Sequence, residues 1–116
     1  MSRKWKLRVE DALQSISYII EDTKGMSYDE FEENRLVRQA VERNLEIIGE
    51  ALNRIPDKIQ EKYPEIPWRE IIGMRNFVIH QYFQVAQDIE WDIITNELGD
   101  LKENLIKIKK NESDEL

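Results

Sequence analysis

Residues 37–55, VRQAVERNLEIIGEALNRI, decide the fold. Val37, Val41, Leu45, Ile48, Leu52 and Ile55 recur every three or four positions, which marks one face of an α-helix. A second line, Leu36, Ala40, Ile47 and Ala51, widens that stripe, so the helix should lie centrally and touch more than one neighbour. Its start is readable upstream. Ser27-Tyr28-Asp29-Glu30 fits the S-x-x-E capping box, with Met26 and Phe31 spaced for a hydrophobic staple. The pattern predicts one helix from that cap to about Ile55.

Working outward, the same period recurs. Trp5, Val9, Ala12, Leu13, Ile16, Ile19 and Ile20 predict a helix over about 4–24, with Gly25 as its stop. The three prolines all fall between residues 56 and 67. Ile55, Ile59 and Tyr63 suggest a short helix there, halted before Pro64. Pro67 suits the first position of a new helix, where its fixed φ fits and its missing N–H costs nothing. That helix carries Trp68, Ile71, Ile72, Met74, Phe77 and Val78 and should end around His80 to Phe83. Asp88 reads as the cap of a last helix. Trp91, Ile94, Leu98, Leu101, Leu105 and Ile108 then form an a/d seam suited to bundle packing. No stretch alternates with period two for long enough to argue for a strand. The expectation is an all-α bundle of four long helices plus one short helix, over residues 1–108, with 109–116 a polar, disordered tail.

Composition narrows the function. A chain of 116 residues suits one domain. Lys plus Arg number 17 against 24 Asp plus Glu, a net charge of −7, which argues against tight non-specific binding to nucleic acid. It leaves room for a basic patch on one face. With no Cys, disulfides, thiolate catalysis and cysteine zinc sites are excluded. A single His makes a His-rich metal site within one chain impossible. No apolar run is long enough for a transmembrane helix, and the N-terminus lacks a signal-peptide pattern, so a cytoplasmic protein is expected.

The stretch most suggestive of chemistry is Arg75-Asn76-Phe77-Val78-Ile79-His80-Gln81-Tyr82, where polar groups interrupt an apolar helix. Arg offers a permanent, bidentate fork to phosphate oxygens. His exchanges a proton near neutral pH. Asn76 adds an amide. Such a pair is competent for phosphodiester cleavage by a 2′-hydroxyl without a metal. One difficulty is geometric: five residues along a straight helix separate Arg75 and His80 by about 140° around its axis. A twofold dimer removes it by bringing two Arg and two His into one cleft. The plainer reading is a chance Arg-x4-His, with His80 merely facing the last carbonyls of its helix.

Several blocks in order tip this balance: Ile47-Ile48-Gly49-Glu50-Ala51, Tyr63-Pro64-Glu65-Ile66-Pro67-Trp68, Ile71-Ile72-Gly73-Met74-Arg75-Asn76 and His80-Gln81-Tyr82-Phe83. Together they resemble the HepT-like branch of the HEPN superfamily, from the first helix to about Leu105. The resemblance implies a homodimer whose Arg-x4-His motifs meet at the interface. It implies a metal-independent ribonuclease toxin of a type VII-like HEPN/MNT toxin–antitoxin pair, acting on RNA and possibly tRNA. By motif position Arg75 and His80 would be catalytic, with Asn76 the polar residue that follows the motif Arg. Tyr82 would be the tyrosine that the nucleotidyltransferase antitoxin modifies with AMP. Covalent AMP would add charge and bulk in the cleft, much as phosphorylation does. After Tyr-Phe the family pattern leads to expect a Gly-Val-Asp-like turn; this chain has Gln84-Val85-Ala86-Gln87-Asp88 instead.

Glu50 is a candidate supporting residue that would orient an Arg; its plain reading is a solvated helix carboxylate. No metal and no cofactor are expected. The rival to the enzyme reading is a non-catalytic helical partner of a nucleotidyltransferase, which the charge of −7 favours slightly.

Overall fold

The computed structural model describes residues 4–73 and 83–112, and every regular element among them is helical. Helix α1 spans Lys4–Thr23, α2 Tyr28–Glu33, α3 Arg35–Asn53 and α4 Asp57–Lys62. The described helical residues 68–73 form α5, followed by α6 over Phe83–Asn96 and α7 over Leu98–Asn111. The all-α bundle expected from the sequence is what the chain forms.

The centre of the bundle is the α1–α3 pair, its most extensive helix contact. Val41, Leu45, Ile48 and Leu52 of α3 and Ala12, Ile16 and Ile19 of α1 have no exposed surface. Each buried Val, Leu or Ile of this kind contributes about 1.5–3 kcal/mol by leaving water. Leu98, Leu101, Leu105 and Ile108 of α7 close the core from the other side. On α1 the stripe departs from expectation at its end. Ile20 is exposed, and Thr23 occupies the inward position instead, its hydroxyl donating to the Ile19 carbonyl at 2.7 Å. Gly25 then ends the helix with φ +77°, a left-handed backbone that favours glycine.

Two predicted helices are in fact broken. The Ser27 capping box forms as read: Ser27 N–H donates to the Glu30 carboxylate at 2.9 Å, and Glu30 N–H to the Ser27 hydroxyl at 3.2 Å. The helix it starts lasts only to Glu33. Asn34 is extended and caps α3, its side-chain oxygen accepting from Val37 N–H at 3.1 Å. An Asn competes for backbone donors and so favours such a cap over a helix interior. The last helix likewise breaks at Glu97, and its first half starts at Phe83 rather than near Asp88. The seam holds on α7. On α6, however, the fully inward side chains are Gln87, Glu90 and Ile93, while Trp91 and Ile94 are half-buried.

Helix α7 runs through Asn111, and Glu112 behind it is buried. Its carboxylate accepts from Tyr63 Oη at 2.8 Å and from Lys62 Nζ at 3.2 Å, tying the end of α7 to the end of α4. No described helix is long and apolar enough to cross a membrane.

Candidate functional site

Arg75, Asn76, His80 and Tyr82 lie outside the described residues. The structure does describe the segments on either side of that stretch. Before it, Trp68 is buried and donates its indole N–H to the Tyr63 carbonyl at 3.0 Å. Ile66 and Ile71 are buried beside it. Pro67 stands just ahead of α5, its carbonyl accepting from Ile71 N–H at 3.1 Å, close to the position its fixed φ suggested. After the stretch, α6 begins at the residue that follows Tyr82. Asp88 of α6 accepts a short hydrogen bond from the Tyr28 hydroxyl. Trp91 packs on Phe31 with ring centroids 5.1 Å apart and meets Tyr28 edge-on at 6.2 Å.

Glu50 sits on α3 and is exposed. Basic residues of the described helices differ in their surroundings. Arg8 pairs with Asp11 at 3.1 Å and Lys109 with Glu10 at 3.6 Å, both in solvent, where such pairs contribute little. Arg38 turns inward, 8% exposed, and its Nη1 donates to the Glu32 carbonyl. A cavity of about 150 Å³ beside α5 has an apolar lining that includes Ile71, Ile93 and Leu101. Glu65, Glu97 and Asp100 also border it, so it repels phosphate.

Sequence reasoning missed the polar side chains buried on α6. Glu90 has no exposed surface and Gln87 is 1% exposed. Both oxygens of Glu90 and both amide atoms of Gln87 lack a hydrogen-bond partner among the described residues. Burial pushes the Glu90 carboxyl up to about 8, helped by the neighbouring Glu42 and opposed by Arg38. Glu42 is also raised, again by burial first, with Glu90 and Arg38 pulling it down and Glu46 pushing it up. The only signal in the sequence was that Arg38 and Glu90 sit where helical period and core coincide. The apolar residues beside them, Val37, Trp91 and Ile94, matched the pattern better and hid it.

The described residues form a small all-helical domain, and the Arg-x4-His-x-Tyr motif lies in the chain between α5 and α6. Comparison with known proteins makes the assignment specific: the chain belongs to the Ribonuclease HepT-like family, whose pattern matches residues 12–108. One protein of Methanocaldococcus jannaschii, named "Putative RNase", is 43% identical over 109 residues, covering 94% of this chain and 90% of its own length. One from Caldanaerobacter subterraneus with the same kind of name is 38% identical over 104 residues, covering 90% of this chain and 93% of its own. A Thermococcus cleftensis protein named "Probable ribonuclease HepT" is 37% identical over 110 residues, covering 95% of this chain and 100% of its own. No solved structure matches the chain at comparable significance.

Proposed function

We propose that the protein is a metal-independent endoribonuclease toxin of a type VII-like pair, acting as a homodimer. The observation that carries this reading is the family match over residues 12–108, which encloses Arg75, His80 and Tyr82 at the motif spacing. In the reaction the 2′-hydroxyl of RNA loses its proton to one imidazole and attacks the adjacent phosphorus. The 5′-oxygen leaves with a proton from the second His80 of the dimer. Arg75 offsets the charge that builds on the equatorial oxygens, and Asn76 supplies a further donor. The products are a 2′,3′-cyclic phosphate and a 5′-hydroxyl. Glu50 orients an Arg of the cleft. A nucleotidyltransferase antitoxin silences the site by transferring AMP to the Tyr82 hydroxyl, and tRNA is a fitting substrate.

The rival, a non-catalytic binding partner of the nucleotidyltransferase, draws on the net charge of −7 and on the inward turn of Arg38. Expression of the chain alone separates the two. Growth arrest with RNA cleavage by the wild type, both lost in Arg75→Ala and His80→Ala, supports the enzyme. Identical behaviour of all three proteins supports the rival.

A further inference from the structure

The cavity of about 150 Å³ lies where three segments meet: the chain leading into α5, the end of α6 and the first turns of α7. It sits at the break between α6 and α7, where Glu97 makes no side-chain cap hydrogen bond. Ile71, Ile93 and Leu101, one from each helix, are at most 8% exposed and form its floor. Glu65, Glu97 and Asp100 are exposed and therefore stand at its mouth. No Lys or Arg lines it. Among the described residues, no ion pair and no side-chain hydrogen bond engages any of these three carboxylates.

Floor and mouth select different parts of one ligand. An apolar cavity of about 150 Å³ is large enough to hold a benzene ring. Water gains few hydrogen bonds over Ile and Leu, so its release favours an apolar occupant. At the mouth, three carboxylates repel an anion and attract a cation, most strongly one held at their level by its own body. The start of α7 accounts for Asp100, because a carboxylate in the first turn suits the helix dipole. It does not account for Glu65, which reaches the cavity from the segment before α5. Asn104, half-buried on α7, adds an amide oxygen able to accept from an ammonium group. A bare metal ion makes no use of the floor, and a neutral hydrocarbon makes none of the mouth. We propose that this cavity binds a small organic amine, a primary ammonium on a hydrocarbon body no larger than a single ring. The body rests on Ile71, Ile93 and Leu101, and the ammonium lies among Glu65, Glu97 and Asp100.

Such a ligand touches three separate segments at once, an arrangement that exists only in the folded chain. Occupancy therefore stabilises the fold: at about ten times its Kd the ligand raises the folding constant about tenfold. The site shares no residue with Arg75, His80 or Tyr82, and its occupancy does not depend on whether the chain cuts RNA.

The test is a nitrogen-15 NMR titration of the full chain with benzylammonium at neutral pH. It is repeated with benzyl alcohol, benzoate and methylammonium at matched ionic strength. Benzylammonium should shift the backbone amides of Ile71, Leu98 and Leu101 saturably, with a Kd of about 10 mM or tighter. Benzyl alcohol, which fills the floor but lacks the charge, should bind at least about tenfold more weakly. Benzoate and methylammonium should give no saturable shift at these amides. Replacing both exposed carboxylates, Glu65→Gln with Glu97→Gln, should leave the fold intact. It should weaken benzylammonium at least about fivefold and leave benzyl alcohol unchanged. Ile71→Phe fills the cavity and should abolish binding of both; if it does not fold, the paired Gln variant decides. Urea unfolding should rank the ligands in the same order through the rise in the folding constant. Equal affinity for benzylammonium and benzyl alcohol overturns the proposal. So do shifts that methylammonium reproduces, which report surface screening alone, and so does the absence of any saturable shift.

Discussion

The Tyr63 hydroxyl donates to the Glu112 carboxylate at 2.8 Å across 49 residues of chain, joining the end of α4 to the end of α7. Both residues are buried, so the bond is made away from competing water. Tyr63→Phe removes the donor and leaves a buried carboxylate with Lys62 at 3.2 Å. Urea unfolding should show a loss of about 1–3 kcal/mol, the range for a buried acceptor deprived of one partner. No loss would mean that the partners left to Glu112, Lys62 among them, satisfy it.

The break between α2 and α3 depends on one side chain. Asn34→Ala removes the acceptor for Val37 N–H and should cost about 1 kcal/mol, while Asn34→Asp retains it. Thermal unfolding of the two variants side by side checks this.

Leu45 has no exposed surface in the α1–α3 interface. Leu45→Ala should destabilise the chain by about 2–5 kcal/mol in denaturant titrations, the lost transfer energy plus the residual cavity.

Arg75→Ala and His80→Ala should each lower the RNA cleavage rate by about 100-fold or more, as removal of a positioned acid–base or charge-stabilising group does. Circular dichroism should remain helical in both. On the proposed reading, Tyr82→Phe should cleave RNA yet escape a nucleotidyltransferase, since it lacks the hydroxyl proposed to accept AMP; mass spectrometry after co-expression reads this.

Glu50 is exposed on α3, so Glu50→Ala should leave the melting temperature within the small range typical of surface substitutions. A fall in cleavage in that variant would then report a role at the cleft. Unchanged cleavage would return Glu50 to a solvated helix carboxylate.

Much of the architecture was legible in local pattern. The α3 stripe, the Ser27 capping box, the stop at Gly25 and the α7 seam all come from spacing and single-residue conformational preference, which act over one or two turns. The breaks at Asn34 and Glu97 were not legible, because the apolar period continues on both sides of each. At Asn34 an amide able to cap competed with helix continuation, and the cap prevailed. The motif stretch stood out for a different reason: Arg, Asn, His and Tyr in an apolar setting contradict simple core packing.

The sequence by itself determined the helical class, the principal buried faces and the membership that Arg75, His80 and Tyr82 announce, since each is written in residue type and spacing. Only the tertiary structure decided that Glu90, not Trp91, faces inward, that Arg38 leaves the surface, and that Glu112 is drawn under Tyr63. The physical reason is that burial of a charged group depends on what stands opposite it. Glu90 and Arg38 turn inward on two helices about fifty residues apart along the chain, beyond the reach of any local pattern.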